Sequence, residues 1–261
     1  MLAFLYAIII LIATVLGSFV GLGGGVIIKP VLDFIGQEPR AQVDFLSSVA
    51  VFTMSVVSTG RAIRNKVEIK KNIVVFLAAG SITGGFLGKY TMDLLENRFV
   101  NVNMRCIQAF VLASLLVAVC FYVAKQRKSF HVKNSAAIII VGLVLGFAAS
   151  FLGIGGGPVN VAVLTLFFSL NVKESAVYSV AIIFFSQLSK LATIFATNGI
   201  EPYSNQWKTL LFILPAAILG GIIGSKFNRK FDDKIIRKVF TVAMILLALL
   251  NIYNGIFYIV N

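Results

Sequence analysis

The sequence predicts an all-α, polytopic membrane protein made of two inverted-topology repeats. Each repeat is a glycine-broken hairpin followed by three further spans. Three observations carry this. The 261 residues are 59% hydrophobic and only 13% charged, with mean hydropathy +0.95. The charges lie in islands between long apolar runs. A glycine motif occurs twice, about half the chain apart. A soluble domain carries about a quarter charged residues, and one aqueous core of this size does not hide so much apolar surface. A cytosolic enzyme, a nucleic-acid module and a secreted disulfide scaffold are excluded. The net charge of +13 then reports basic cytoplasmic loops.

The apolar runs are 2–35, 45–60, 72–88, 106–124, 134–170, 176–197, 209–225 and 239–260. A helix needs about 20 residues to cross the hydrocarbon layer. The shorter runs are therefore single spans once their flanks are included. Runs 2–35 and 134–170 are too long for one span, and each is interrupted by glycines. The start, MLAFLYAIII, lacks a basic leader region, so the first segment is expected to stay as a span. Cys106 and Cys120 read as core filler. Trp207, Tyr203, Tyr253 and Tyr258 read as interfacial anchors.

Residues 61–71 hold five basic groups and one acid, 125–133 four and none, and 226–238 six and two. The connections 36–44, 89–105 and 198–208 together hold five of each. The positive-inside rule puts the first three in the cytoplasm. The spans alternate correctly only if 2–35 and 134–170 each return to the side they left. Both termini then lie outside a plasma (inner) membrane, and the inner connections, with Lys173, hold 16 of the 23 basic residues.

Ser18-Phe19-Val20-Gly21-Leu22-Gly23-Gly24-Gly25 recurs 132 residues later as Ser150-Phe151-Leu152-Gly153-Ile154-Gly155-Gly156-Gly157. Ser48-Val49-Ala50 matches Ser179-Val180-Ala181, and Gly84, Gly85 and Gly88 match Gly220, Gly221 and Gly224. The repeats are 1–128 and 129–261, forming one membrane domain. Equivalent loops fall on opposite sides, so the halves are inverted. Inverted repeats with broken helices in matching positions point to a transporter with its site at the repeat interface.

The glycine clusters suggest what is carried. Three consecutive glycines cost about 3 kcal/mol in a helix relative to alanine. Non-helical backbone at membrane depth survives only when buried in protein or lining a watery cavity. A helix should start near Val26 and near Pro158, which suits a first turn. Helix N-termini with free N–H groups favour an anion. The competing reading is close helix packing through small residues.

Charged residues outside these islands and the short connection 171–175, which has one of each sign, are Lys29, Asp33 and Lys190, and intramembrane charges are functional candidates. Lys29 either pairs with Asp33 one turn away or binds the anion. Lys190 either snorkels outward or joins Gln187 and its serines as a polar patch. Asn160 stands just past the second cluster. No carboxylate other than Asp33 is expected near a span. His131, the one histidine, lies in the basic linker. No metal-ligand cluster or activated nucleophile is visible, so neither cofactor nor enzymatic activity is expected.

The segments SFVGLGGGVIIKPVL and SFLGIGGGPVNVAVL, with the SSVAVF span that follows the first, resemble the TauE/SafE-like sulfite exporter family, also called the toluene-sulfonate uptake permeases. The resemblance covers the whole chain. It implies a bacterial or archaeal permease for sulfite, organosulfonates or other small sulfur-containing anions. Glycines 21, 23, 24 and 25, Pro30, and glycines 153, 155, 156 and 157 match the motifs. Ala162 stands where Pro30 does in the first half, with Pro158 four residues earlier. Lys29 is not carried over from the family. The expected binding residues are Ser18, Gly21, Gly23, Gly24, Gly25, Lys29, Ser150, Gly153, Gly155, Gly156, Gly157, Asn160, Gln187 and Lys190. The expected partners are a small anion and the bilayer, with no nucleic acid. A homodimer is left open, as are substrate identity, direction and coupling ion. The alternative function is a channel-like or scaffolding protein whose glycines serve packing.

Overall fold

A computed structural model describes residues 2–36, 39–67, 70–98, 104–124, 130, 132, 134–152, 156–199, 203 and 206–260. The described residues form helices and no strand. In order they are α1 (Leu2–Val20), α2 (Gly25–Ile35), α3 (Arg40–Arg64), α4 (Lys71–Arg98), α5 (Met104–Ala124), α6 (Ser135–Phe151), α7 (Gly157–Phe168), α8 (Val172–Asn198), α9 (Trp207–Lys230) and α10 (Asp233–Val260). Seven of them, α1, α3, α4, α5, α8, α9 and α10, are long and apolar enough to cross a membrane. Each over-long run is two helices broken at its glycines, as the charge pattern requires. The lengths run in step: 19 and 17 residues for α1 and α6, 11 and 12 for α2 and α7, 25 and 27 for α3 and α8.

Local chemistry sets the helix ends. Pro39 disfavours helix at the preceding residue, so α3 begins at Arg40. Asn171 and Glu174 form a capping box at the start of α8, with bonds of 2.8 and 3.1 Å. Asn134 caps α6 by accepting from Ala136 N–H.

The helix pairing exchanges between the halves. Helix α1 packs along α9, and α6 along α4; α3 packs on α8, and α5 on α10. Glycines permit the closest approaches. A Cβ on Gly84 or Gly88 of α4 would strike the carbonyls of Leu143 or Phe147 on α6. A Cβ on Gly224 of α9 would strike Val15 of α1. Helices α3 and α8 run antiparallel, since Phe45 meets Phe195 edge-on while Phe52 stacks on Phe184.

The basic segments gather at one end of the bundle. Lys173 Nζ donates to the carbonyls of Arg229 and Phe231. Lys70 N–H donates to Tyr178, and Val132 N–H to the Phe167 carbonyl. At the opposite end Gln206 donates to Gln42 at 2.6 Å, and Phe34 packs on Tyr253. Tyr203 differs from its interfacial expectation. It is buried and stacks on Phe45 with centroids 4.4 Å apart. Its ring completes the core between α3 and α8. Trp207 and Tyr253 are exposed, as expected of anchors, while Tyr258 lines a cavity.

Candidate functional site

The two glycine breaks touch. Gly24 precedes α2 at φ 74° and Gly156 precedes α7 at φ 78°, conformations that side chains other than glycine rarely adopt. A Cβ on Gly157 would collide with the backbone of Leu22, and one on Gly21 with Ala176 of α8. The Ser179 hydroxyl lies 2.7 Å from the Gly21 carbonyl and 3.4 Å from that of Gly157, holding both breaks to α8. Gly21, Gly23, Gly24 and Gly25 are buried. Gly23 N–H donates to the Gly17 carbonyl, and the Gly24 carbonyl accepts from Ile27 and Ile28. Gly153 and Gly155 lie outside the described residues, as does His131.

The carbonyl ahead of each break is capped by an amide from another helix. Asn228 of α9 donates to Phe19 at 2.9 Å, and Gln108 of α5 donates to Phe151 at 2.6 Å. Helix ends leave carbonyls without partners, and in a membrane only protein can supply them. Ser18 lies 2.6 Å from Ser58 and donates to the Gly221 carbonyl. Ser150 lies against Gly85. Asn160 is buried beside Gly156, its backbone N–H bonded to the Gly156 carbonyl.

The intramembrane charges form a second feature. Lys29 Nζ lies 3.2 Å from Asp44 Oδ1, and Lys190 Nζ lies 3.9 Å from the same oxygen. Two expectations change. Lys29 pairs with Asp44 of α3 and not with Asp33 on its own helix; a lysine placed N-terminal to its acid at this spacing is the weaker arrangement. Lys190 does not snorkel outward: its side chain is 10% exposed and turned to Asp44. Asp44, counted with the connection 36–44 from sequence, is more than one turn inside α3 because that helix starts right after Pro39.

Helix α8 links the two features. Ala176, Ser179, Ile183, Gln187 and Lys190 recur at helical spacing and share a face. Ala176 and Ser179 meet the first break, Ile183 lies against Gly23, and Lys190 reaches Asp44. Gln187 is buried, and its carbonyl oxygen has no hydrogen-bond partner among the described residues. Lys29 Nζ is buried and, beyond its ion pair, has no hydrogen bond among the described residues. Orphaned buried groups of this kind are costly. Ser179 to Lys190 spans about 16 Å along the helix. The glycine breaks and the charges are thus neighbouring stations on one helix face, not one cradle.

Small cavities flank the breaks. One of about 40 Å³ lies toward the basic end, lined by Ser18, Ser58, Arg61, Asn65, Asn228 and Arg229. Another of about 30 Å³ lies toward the opposite end, lined by Lys29, Asp33, Gln108, Asn251, Asn254 and Tyr258. Both have room for a few waters. Sequence reasoning missed Asp44, Ser179, Gln108 and Asn228. Pro39 was the available signal for Asp44, and the repeated Ser-Phe pair, whose carbonyls need donors, for the two amides.

The family model "Sulfite exporter TauE/SafE" matches residues 6–250. The probable membrane transporter protein YunE of Bacillus subtilis is 28% identical, over 95% of this chain and 96% of its own length. A probable membrane transporter protein of Methanocaldococcus jannaschii is 25% identical, over 87% and 86%. The probable membrane transporter protein MamO of Paramagnetospirillum magneticum is 21% identical over 92% of this chain but only 42% of its own length. No solved structure matches. A helical bundle with seven candidate spans, a paired glycine break and a match over nearly its whole length make this chain a member of the TauE/SafE sulfite exporter family, a family of membrane transporters.

Proposed function

We propose that the chain is a plasma-membrane permease for small anions, with sulfite or organosulfonates as the favoured class. The observation that carries this reading is the Lys29–Asp44–Lys190 cluster, two lysines around one carboxylate inside an apolar bundle. Buried charge is expensive, and in a span it marks a substrate path by default. The anion would meet Lys29, Lys190 and Gln187. At a second station along α8, the N-termini of α2 and α7 would supply backbone N–H donors from Gly24 and Gly25 and from Gly155, Gly156 and Gly157, with Gly23, whose N–H is held by the Gly17 carbonyl, shaping the turn. Ser18, Gly21, Ser150, Gly153 and Asn160 would shape the breaks.

The repeats, 1–128 and 129–261, would be inverted and would rock against each other. The exchanged pairing of α1 with α9 and α6 with α4, and the antiparallel α3 and α8, support that relation. The gathering of basic segments at one end supports a cytoplasmic location for that end and both termini outside. Packing is a further role of the glycines, favoured by the backbone contacts at Gly21 and Gly157.

The test is flux in proteoliposomes of the full-length protein with labelled sulfite and labelled methanesulfonate. Sulfate, phosphate and acetate serve as competitors, with and without sodium, proton and voltage gradients. Saturable uptake blocked by sulfur anions is expected. Folded protein that moves no anion above empty liposomes would remove the permease reading.

A further inference from the structure

The cavity at the basic end is lined from both halves of the chain: Ser18 of α1, Ser58, Thr59 and Arg61 of α3, and Asn228 and Arg229 of α9. Helix α1 packs on α3, α8 and α9, and α3 packs on α8 and α9, so the cavity lies within a group of four helices. Ser18 and Ser58 both reach the Gly221 carbonyl, and Asn228 caps the Phe19 carbonyl. These contacts bring the cavity up to the first break. Two donors in its lining are unmet. Arg61 Nε and Thr59 Oγ1 are buried and have no hydrogen-bond partner among the described residues. Arg61 stands in the last turn of α3, where a cation complements the helix dipole and needs only solvent to do so. A guanidinium serving that end alone would keep its N–H groups in water. This one holds an N–H buried, and leaving such a group unpaired is costly. Arg229, in the last turn of α9, is exposed, and its side chain has no hydrogen bond or ion pair among the described residues. No carboxylate is among the described residues that line the cavity. Asp233, at the start of α10, is engaged by Lys173 N–H and by Arg237.

We propose that this cavity is a second oxyanion site, in which Arg61 and Arg229 hold a small anion from opposite halves of the chain and the Thr59 hydroxyl gives a further hydrogen bond. The ligand class is a compact anion with several acceptor oxygens on one face, such as a sulfonate, sulfite or sulfate. The guanidinium fork matches two oxygens of such a group, and the hydroxyl meets a third. Arg229, exposed and unbonded, can adjust its side chain to the guest. The enclosing helices favour a dissolved anion over a lipid headgroup. Binding here does not depend on transport. The further role, a station between the basic end and the first break, rests on the anion-permease reading.

A thiol placed in the lining reports on the cavity directly. In a full-length background lacking Cys106 and Cys120, Ala62→Cys supplies it. The rate of its modification by a maleimide would be measured in phosphatidylcholine nanodiscs, with methanesulfonate, sulfate or chloride at matched ionic strength. Methanesulfonate and sulfate should slow the reaction severalfold, and chloride should not. Arg61→Gln and Arg229→Gln should each raise the anion concentration needed for protection about tenfold, the scale of one charge-assisted hydrogen bond. Arg61→Lys, which keeps the charge and loses the fork, should fall between the wild type and Arg61→Gln. Should Arg61→Gln not fold, Arg229→Gln, at an exposed residue, still carries the comparison.

Equal protection by chloride, or full protection in both arginine variants, would overturn the proposal. So would protection lost in Lys29→Gln but kept in Arg61→Gln, which would place the anion at the lysines. Loss of protection on adding phosphatidylglycerol to the nanodiscs would make a lipid headgroup the occupant and overturn the assignment to a dissolved anion. Arginine-dependent protection without flux in proteoliposomes would remove the permease reading and leave the site standing. Flux without protection would do the reverse.

Discussion

Ser179 gives one hydroxyl to two carbonyls, those of Gly21 and Gly157. The Gly21 carbonyl belongs to the unwound backbone of the first break, and that of Gly157 opens α7. Leaving a buried acceptor without a donor costs about 1–3 kcal/mol. Ser179→Ala should therefore lower thermal stability in detergent by an amount in that range. Ser48→Ala, its counterpart by sequence, should cost less, because Ser48 only bonds the carbonyl one turn back on its own helix. Equal losses in the melting curves would mean that Ser179 does not hold the breaks together. Lys29, Lys190 and Gln187 were legible in the sequence as polar groups in apolar runs. Their common partner Asp44 was not, because local charge counting merged it with a balanced loop. Only the tertiary packing of α2, α3 and α8 reveals that the three charges converge.

The elements most legible from sequence were the broken helices. Glycine triplets cannot continue a helix cheaply, and the runs holding them were too long for one span. What the glycines do was less legible, because the same residue type serves two physical ends. At Gly84 the need is space: an added Cβ meets the Leu143 carbonyl on α6. At Gly24 the need is backbone conformation, φ 74° at the start of α2. Different outcomes follow. Gly84→Ala should destabilise by about 1–3 kcal/mol through overpacking while leaving flux per folded molecule intact. Gly24→Ala should lose flux even in the folded fraction, because it strains the start of α2. Melting temperature and flux, both normalised to folded protein, separate the two. If Gly24→Ala lowers only stability, the first break serves packing alone. Tyr203 is the opposite lesson. An aromatic near a loop reads as an anchor, but stacking on Phe45 between helices distant in sequence draws it into the core.

For the whole molecule, charge asymmetry was the strongest signal and needed no structure. Three basic islands were assigned to one side, and the described parts of those segments meet at one end of the bundle. The side of the membrane to which that end belongs can be measured. In a background lacking Cys106 and Cys120, Lys230→Cys should react with an impermeant maleimide only after the cells are permeabilised. Lys208→Cys should react in intact cells. The reverse pattern would invert the topology. The exchanged pairing of α1 with α9 and α6 with α4 makes each half incomplete without the other. The glycine-bearing faces of α4 and α9 are buried against α6 and α1, helices of the other half of the chain.

The most direct measurement is counterflow in proteoliposomes of the wild-type protein. Liposomes preloaded with unlabelled methanesulfonate would be diluted into labelled methanesulfonate at low concentration. A carrier that alternates between two openings, returning faster loaded than empty, should show accelerated uptake that overshoots equilibrium and then declines. Preloading with acetate should give no acceleration. Uptake that rises monotonically to the same level whatever the internal anion would contradict alternating access and indicate a channel. No uptake at all by folded protein would contradict anion transport itself.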